Sequence, residues 1–322
     1  MDTLDSGIKS NIINNKGVNY LDFRKSLTPR YFWVWFDIFL CYASMIVVVA
    51  IIVFMQKLFP AWFILTVPVG ALLVGYIVQA IHLFIHEASH YNLSSDKKRN
   101  DLLSNIFLGL LVGLDVQFFR TNHAVHHRYV GTVRDTEKSY FDGLTWRLVL
   151  ESLTGIRALK VVMHRNKNVK LNSAAGLGTE IVNKNNRMFI AAAFLNLFLV
   201  VVFFVSGFWQ VSLAWMIGFG AVLPFFASLR NILEHRTEEA QASINYNAVP
   251  PGYTTRLYGA GLIARTMGTA GFNRHLLHHW DPQISYTRLK DVEDFLMDSP
   301  LSSELQQSRT TYLKTFSMLL NR

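Results

Sequence analysis

The chain has 322 residues but one cysteine, Cys41, and only 16% of its residues carry a formal charge. A single thiol excludes an intramolecular disulfide framework and any cysteine-based zinc or iron–sulfur site. Cys41 lies inside an apolar run, where a small packing residue is the simplest reading. There is no glycine-rich dinucleotide fingerprint, no internal repeat and no low-complexity tract. Residues 1–30 are largely polar and precede the first apolar run, so no cleavable signal peptide is expected. What abounds is apolar: 51% of residues are hydrophobic and the mean hydropathy is +0.24. That balance excludes an ordinary soluble domain and indicates an integral membrane protein.

Four stretches, about 31–56, 62–85, 188–206 and 209–230, are each apolar and near the roughly 20 residues a helix needs to cross a bilayer. Short breaks at Pro60 and Gly207 pair them into two hairpins. The expected fold is all-α and multi-pass: four transmembrane helices in two hairpins under a cytoplasmic helical cap. Residues 1–30 form an arm, 31–295 the membrane domain and 296–322 a tail. The run "DLLSNIFLGLLVGLDVQFF" is short and glycine-rich, and is read as an interfacial or re-entrant helix. "NKNVKLNSAAGLGTE" and "AVPPGY" read as an exposed loop and a turn. Lys9, Lys16, Arg24, Lys25 and Arg30 precede the first span, the segment between the hairpins is richly basic, and the hairpin loops have only Lys57. The positive-inside rule then puts both termini and the middle segment in the cytoplasm. Anionic headgroups account for the formal charge of +9, so the bilayer is the expected partner and nucleic acid is not.

The eleven histidines are unevenly spread. Nine fall in three groups: His82, His86 and His90; His123, His126 and His127; and His275, His278 and His279. His164 has no such neighbours. Residues three and four apart share a helix face, so "HEASH", "HAVHH" and "HLLHH" each present stacked imidazoles. One such pair is often a satisfied polar residue; three clusters with the same helical spacing indicate metal. "RNILEH" adds Asn231 and His235, one turn apart where the last span ends. His86, His90, His123, His126, His127, His235, His275, His278 and His279 make nine imidazoles. A catalytic zinc takes three protein ligands, so nine imply at least two ions, and imidazole chemistry admits iron, zinc, copper or nickel. Glu87, Asp135, Glu234 and Asp281 lie beside these positions. Carboxylates there would accept the other ring N–H and offset the positive charge.

This pattern resembles the membrane fatty acid desaturase superfamily, whose signature is three histidine boxes on a four-span scaffold. "GLLVGLDVQFFRTNHAVHHRYVGTVRDTE" and "GFNRHLLHHWDPQISYTRL" are similar to the text around its second and third boxes, and the resemblance covers about residues 30 to 290. It implies two iron ions, O2 as co-substrate, and removal of hydrogens from an unactivated C–H position of an acyl lipid. It further implies that the nine imidazoles are iron ligands and that Asn231 binds through a water. His82, a turn deeper than His86, departs from the pattern and reads as a channel or supporting group. With no fused haem or iron–sulfur element in view, electrons are expected from a separate ferredoxin or cytochrome b5-like donor. A bacterial inner membrane is expected ahead of the endoplasmic reticulum. An alternative within the superfamily is a di-iron monooxygenase acting on an acyl chain, alkane or carotenoid, because "NILEHR" and "FNRHLLHH" are also similar to membrane alkane hydroxylases. A non-catalytic metal-binding membrane protein is the third reading.

Overall fold

The computed structural model describes residues 9–130, 135–137, 140, 143–157, 159–160, 163, 186–236 and 255–320. Among these every named element is helical, and β-pairing is limited to isolated bridges. A short helix, α1 (Tyr20–Lys25), is followed by α2 (Tyr31–Leu58). After the turn Pro60–Trp62 comes α3 (Phe63–Ser89). Next are α4 (Lys97–Val112) and α5 (Val116–Tyr129), then α6 (Trp146–Leu153) and α7 (Arg187–Val205). The longest later helix is α8 (Trp209–His235). The chain closes with α9 (Leu262–Met267), α10 (His275–Trp280), α11 (Tyr286–Met297), α12 (Ser302–Gln307) and α13 (Tyr312–Leu319). The segments "NKNVKLNSAAGLGTE" and "AVPPGY", read above as loop and turn, and His164 lie outside the described residues.

Four helices, Tyr31–Leu58, Pro60–Ser89, Arg187–Val205 and Trp209–His235, are long and apolar enough to cross a membrane. Their burial shows which surfaces would meet lipid. Helix α2 buries one stripe, Val34, Ile38, Met45, Val48 and Ile52, at the alternating spacing of three and four that keeps residues on one face. Its other sides expose Phe32, Phe39, Val47, Ile51 and Phe54. Helix α7 buries only Ala192. Helix α3 is the centre of the bundle. A Cβ on its Gly75 would lie 2.5 Å from Val222 Cβ and 2.7 Å from the Gly218 carbonyl oxygen, so α3 and α8 touch almost backbone to backbone, as small residues allow in membranes. A π-turn at Gly218–Val222 leads α8 into Pro224, which has no N–H to give to the helix ladder.

Two spans outlast their apolar runs. Helix α3 continues past residue 85 to Ser89, and α8 past residue 230 to His235. From Val78 to Ser89, α3 is almost wholly enclosed by protein, so helix persists where hydropathy falls: its polar side chains meet protein rather than lipid or water. The run read as interfacial or re-entrant is bent. Helices α4 and α5 meet at 87°, with Gly113 at φ 77° supplying the left-handed break.

Candidate metal centre

Each box is fixed by local chemistry. The first sits on the last turn of α3. Arg120 of α5 donates to the carbonyls of Ser89 (2.8 Å) and Ala88 (3.1 Å) and pairs with Asp101. Asn100 Nδ2 also donates to the Ala88 carbonyl at 2.9 Å. These groups satisfy carbonyls that a helix end leaves free and tie the first box to the second. The second box depends on the start of α5. Asp115 caps it by accepting from the N–H of Gln117 and Phe118, and Asn105 of the π-turn in α4 holds the Asp115 carboxylate and the Val116 N–H at 2.9 Å each. Helix α8, which brings Asn231 and His235, ends on carbonyls of Leu233 and Arg236 that accept from Arg256 at 2.8 and 2.6 Å. Tyr258 OH also donates to Leu233.

The third box, α10, is reached through a kink with Ala270 at φ 55° and Gly271 at φ 85°. A Cβ on Gly271 would lie 2.5 Å from Tyr286 Cβ, so both backbone angle and space require glycine. Behind α10, Asp281 accepts from Arg24 Nε at 2.6 Å and Tyr20 OH at 3.0 Å. Tyr20 in turn packs on Trp280, ring centroids 4.4 Å apart. The N-terminal segment is thereby bound to the back of the box.

These supports bring all nine expected imidazoles together as two adjoining groups. In the first, ring nitrogens of His86, His90, His123, His127 and His278 all lie within 4.8 Å of one another. The second has His126, His235 and His279 within the same distance. His275 joins it, its Nε2 2.9 Å from His235 Nε2 and 3.1 Å from His279 Nε2. In the first group His127 Nε2 is 2.9 Å from His123 Nε2 and 3.0 Å from His278 Nε2. Nitrogens about 2.1 Å from one ion and roughly 90° apart stand ~3 Å from each other, so these spacings suit lone pairs aimed at a common centre.

Unsatisfied atoms support that fit. His86 Nδ1 and Nε2, His90 Nε2, His126 Nε2 and Asn231 Oδ1 are buried with no hydrogen-bond partner in the protein. A buried polar atom left alone costs about 1–3 kcal/mol, and several in one place make a cluster that could hold a cation. Burial, reinforced by the neighbouring rings, holds His275, His278 and His279 well below the ordinary imidazole range. They are neutral at pH 7 and their lone pairs are free for a metal.

The four expected carboxylates divide. Asp135 is fully buried and receives His126 Nδ1 at 2.9 and 3.0 Å on its two oxygens, with Tyr140 OH donating at 2.6 Å. Glu87 Oε1 is 3.9 Å from His86 Nδ1, while its Oε2 accepts from Asn92 and the Tyr286 N–H at 3.1 Å each. Glu234 instead bonds Arg230 and Tyr312, and Asp281 bonds Arg24, Tyr20 and Lys9. Glu137, not singled out from sequence, meets His123 Nδ1 at 3.1 Å. Its signal was its place two residues after Asp135, whose Oδ1 accepts the Glu137 N–H at 2.7 Å. Arg120 and Arg256 were also missed. A cavity of about 100 Å³ opens beside both groups; His82, Phe119, Arg230, Asn231 and Phe272 complete its wall.

Membrane-length helices with clustered imidazoles gathered at their ends define a membrane protein with histidine clusters that could bind metal. The sequence profile of the fatty acid desaturase family matches residues 62–309, about three quarters of the chain and all three boxes. The chain belongs to the fatty acid desaturase family, and that membership makes it an oxidoreductase.

Proposed function

We propose that this chain is a di-iron oxidase that desaturates the acyl chain of a membrane lipid, using O2 and two electrons from an external donor. The observation that carries the reading is the convergence of nine imidazoles, seven of them buried and His90 and His127 partly so, from α3, α5, α8 and α10 as two adjoining groups. His86, His90, His123, His127 and His278 would hold one iron. His126, His235, His275 and His279 would hold the other, with Asn231 binding through a water. When bound, an iron pair supplies the O2-derived oxidising power that an unactivated C–H bond demands and side-chain acid–base chemistry lacks.

The protein's own part is orientation and exclusion. Asp135 accepts the Nδ1–H of His126, which fixes the tautomer that leaves Nε2 available, and Glu137 does the same for His123. Together with Glu87 they set negative charge against two dications. Phe119 and Phe272 make the apolar wall against which a chain segment would lie. His82 joins that wall one turn before His86 and serves the channel rather than a metal. Exposed Lys97, Lys98, Arg99 and Arg128 flank the first and second boxes and offer a basic landing face for a ferredoxin or cytochrome b5-like donor. In this scheme 31–295 is the catalytic domain, 1–30 its strap and 296–322 its outer support, with both termini cytoplasmic.

The test is product analysis. Iron-loaded protein in bilayers, supplied with a reductase and donor, should yield lipid lighter by two hydrogens. Lipid heavier by one oxygen would replace desaturation with the monooxygenase reading. No product from fully loaded, reduced protein, whatever lipid class is offered, would sink both.

A further inference from the structure

We infer that residues 146–157, with 159 and 160, dip into the bilayer beside α8 and turn back, forming a lipid-facing re-entrant element in a stretch whose basic composition points to water. The first observation is its outer face. Trp146, Leu150 and Leu153 are exposed at 63%, 63% and 44% along one side of α6, and Ile156 and Leu159 beyond its end at 47% and 62%, while Leu148 and Ser152 point inward and are buried. The region 275–320 makes the contrast: of its described large apolar side chains, Leu313 is the exposed one. An apolar stripe of this kind requires a cover.

Depth identifies the cover. Leu148 belongs to one apolar cluster with Leu229, Ile232 and Leu233, near the polar end of α8. Seven residues further on, a Cβ on Gly155 would lie 3.0 Å from the Gly220 carbonyl oxygen. Gly220 is fifteen residues before His235 on α8, ~22 Å along a helix rising 1.5 Å per residue. It is also central in the apolar run of 209–230. Helix α6 therefore runs antiparallel to α8 toward the middle of a span, and its free side at that depth faces what the spans face: acyl chains.

The turn bonds several of its own polar groups. Gly155, at φ 76°, reverses the chain. The Thr154 N–H and Oγ1 both donate to the Leu150 carbonyl, Gly155 N–H to that of Ser152, and Ser152 Oγ to that of Leu148. Irregular backbone is tolerated at membrane depth only when such groups are satisfied by protein. The charged residues Arg147, Glu151 and Lys160 pair with one another, with Arg147 and Lys160 still 83% and 47% exposed. Glu151 Oε1 accepts from Arg147 Nε at 2.9 Å and Lys160 Nζ at 2.6 Å. A straight helix would separate residues 151 and 160 by ~13 Å, so this bond also records the turn back. The lipid tail of the surrounding bilayer is the partner this face fits, and the inference is independent of the reaction assigned above.

Nitroxide accessibility tests it on the full chain in bilayers. With Cys41 replaced by serine, single labels go on Leu150→Cys, Leu153→Cys and Leu159→Cys, with Val47→Cys on α2 as the lipid reference and Leu313→Cys as the water reference. The oxygen-to-nickel-chelate accessibility ratio should fall within about twofold of Val47→Cys and several-fold above Leu313→Cys. A ratio matching Leu313→Cys at all three positions overturns the inference. Metal content equal to the unlabelled protein certifies that each variant is folded, and these outward-facing sites make misfolding easy to avoid.

Discussion

The two imidazole groups share their residue type but not their completeness. The first gathers five rings from three helices, a crowded set with little need of a further donor. The second gathers four rings, with the unpartnered Asn231 carbonyl oxygen one turn before His235. A filled ligand set holds an ion in place, whereas an open position admits water or a co-substrate. On the proposed reading the first group would anchor its ion, and the second, with Asn231 beside it, would leave room for a water or co-substrate; the cavity is lined by rings of both groups. Their supports differ in kind too. His126 is gripped by both oxygens of a fully buried carboxylate, and His123 by one oxygen of Glu137, whose side chain is 14% exposed.

Single substitutions can break this comparison. The largest effects belong to the ligands: His278→Ala and His126→Ala should each abolish turnover, and metal analysis should show the first deleting the anchoring ion and the second the more open one. Next come the orienting carboxylates. Asp135→Asn should weaken the second ion by ~10–100-fold and Glu137→Gln the first by a smaller factor in that range, both read by competitive chelation. Arg120→Ala removes donors to two helix-end carbonyls and a partner of Asp101. It should cost about 1–3 kcal/mol of stability, seen as a lower Tm, and should disturb the first group before the second. Smallest is Asn231→Ala, which should retain both ions but alter the absorption spectrum of the second alone. Equal perturbation of both ions by Asn231→Ala would erase the distinction.

What was legible in the sequence was whatever repeats with the helix. Box spacing fixed which imidazoles share a face, and Asn231 with His235 followed from one further turn. Adjacency misled for two of the four carboxylates, because neighbours on a helix point about 100° apart. Glu234, beside His235, turns to Arg230 and Tyr312, and Asp281, just beyond α10, binds Arg24 and Tyr20. Glu137 escaped notice since it reaches His123 from a non-helical turn, where spacing carries no geometric information. Arg120 and Arg256 stabilise helix ends contributed by distant segments, and such contacts exist only once the chain is folded. Helices α3 and α8 run beyond the apolar stretches at 62–85 and 209–230 for a related reason. Hydropathy marks where lipid contact ends, while enclosure by protein lets the helices run on to His86, His90 and His235.

The central claim is that these nine imidazoles hold two ions, one per group. Anomalous diffraction at the iron edge, on crystals of protein purified with iron, tests it most directly. Two peaks are expected, one ringed by His86, His90, His123, His127 and His278 and the other by His126, His235, His275 and His279. A single peak, or iron bound away from these rings in protein shown to be folded, would contradict the account.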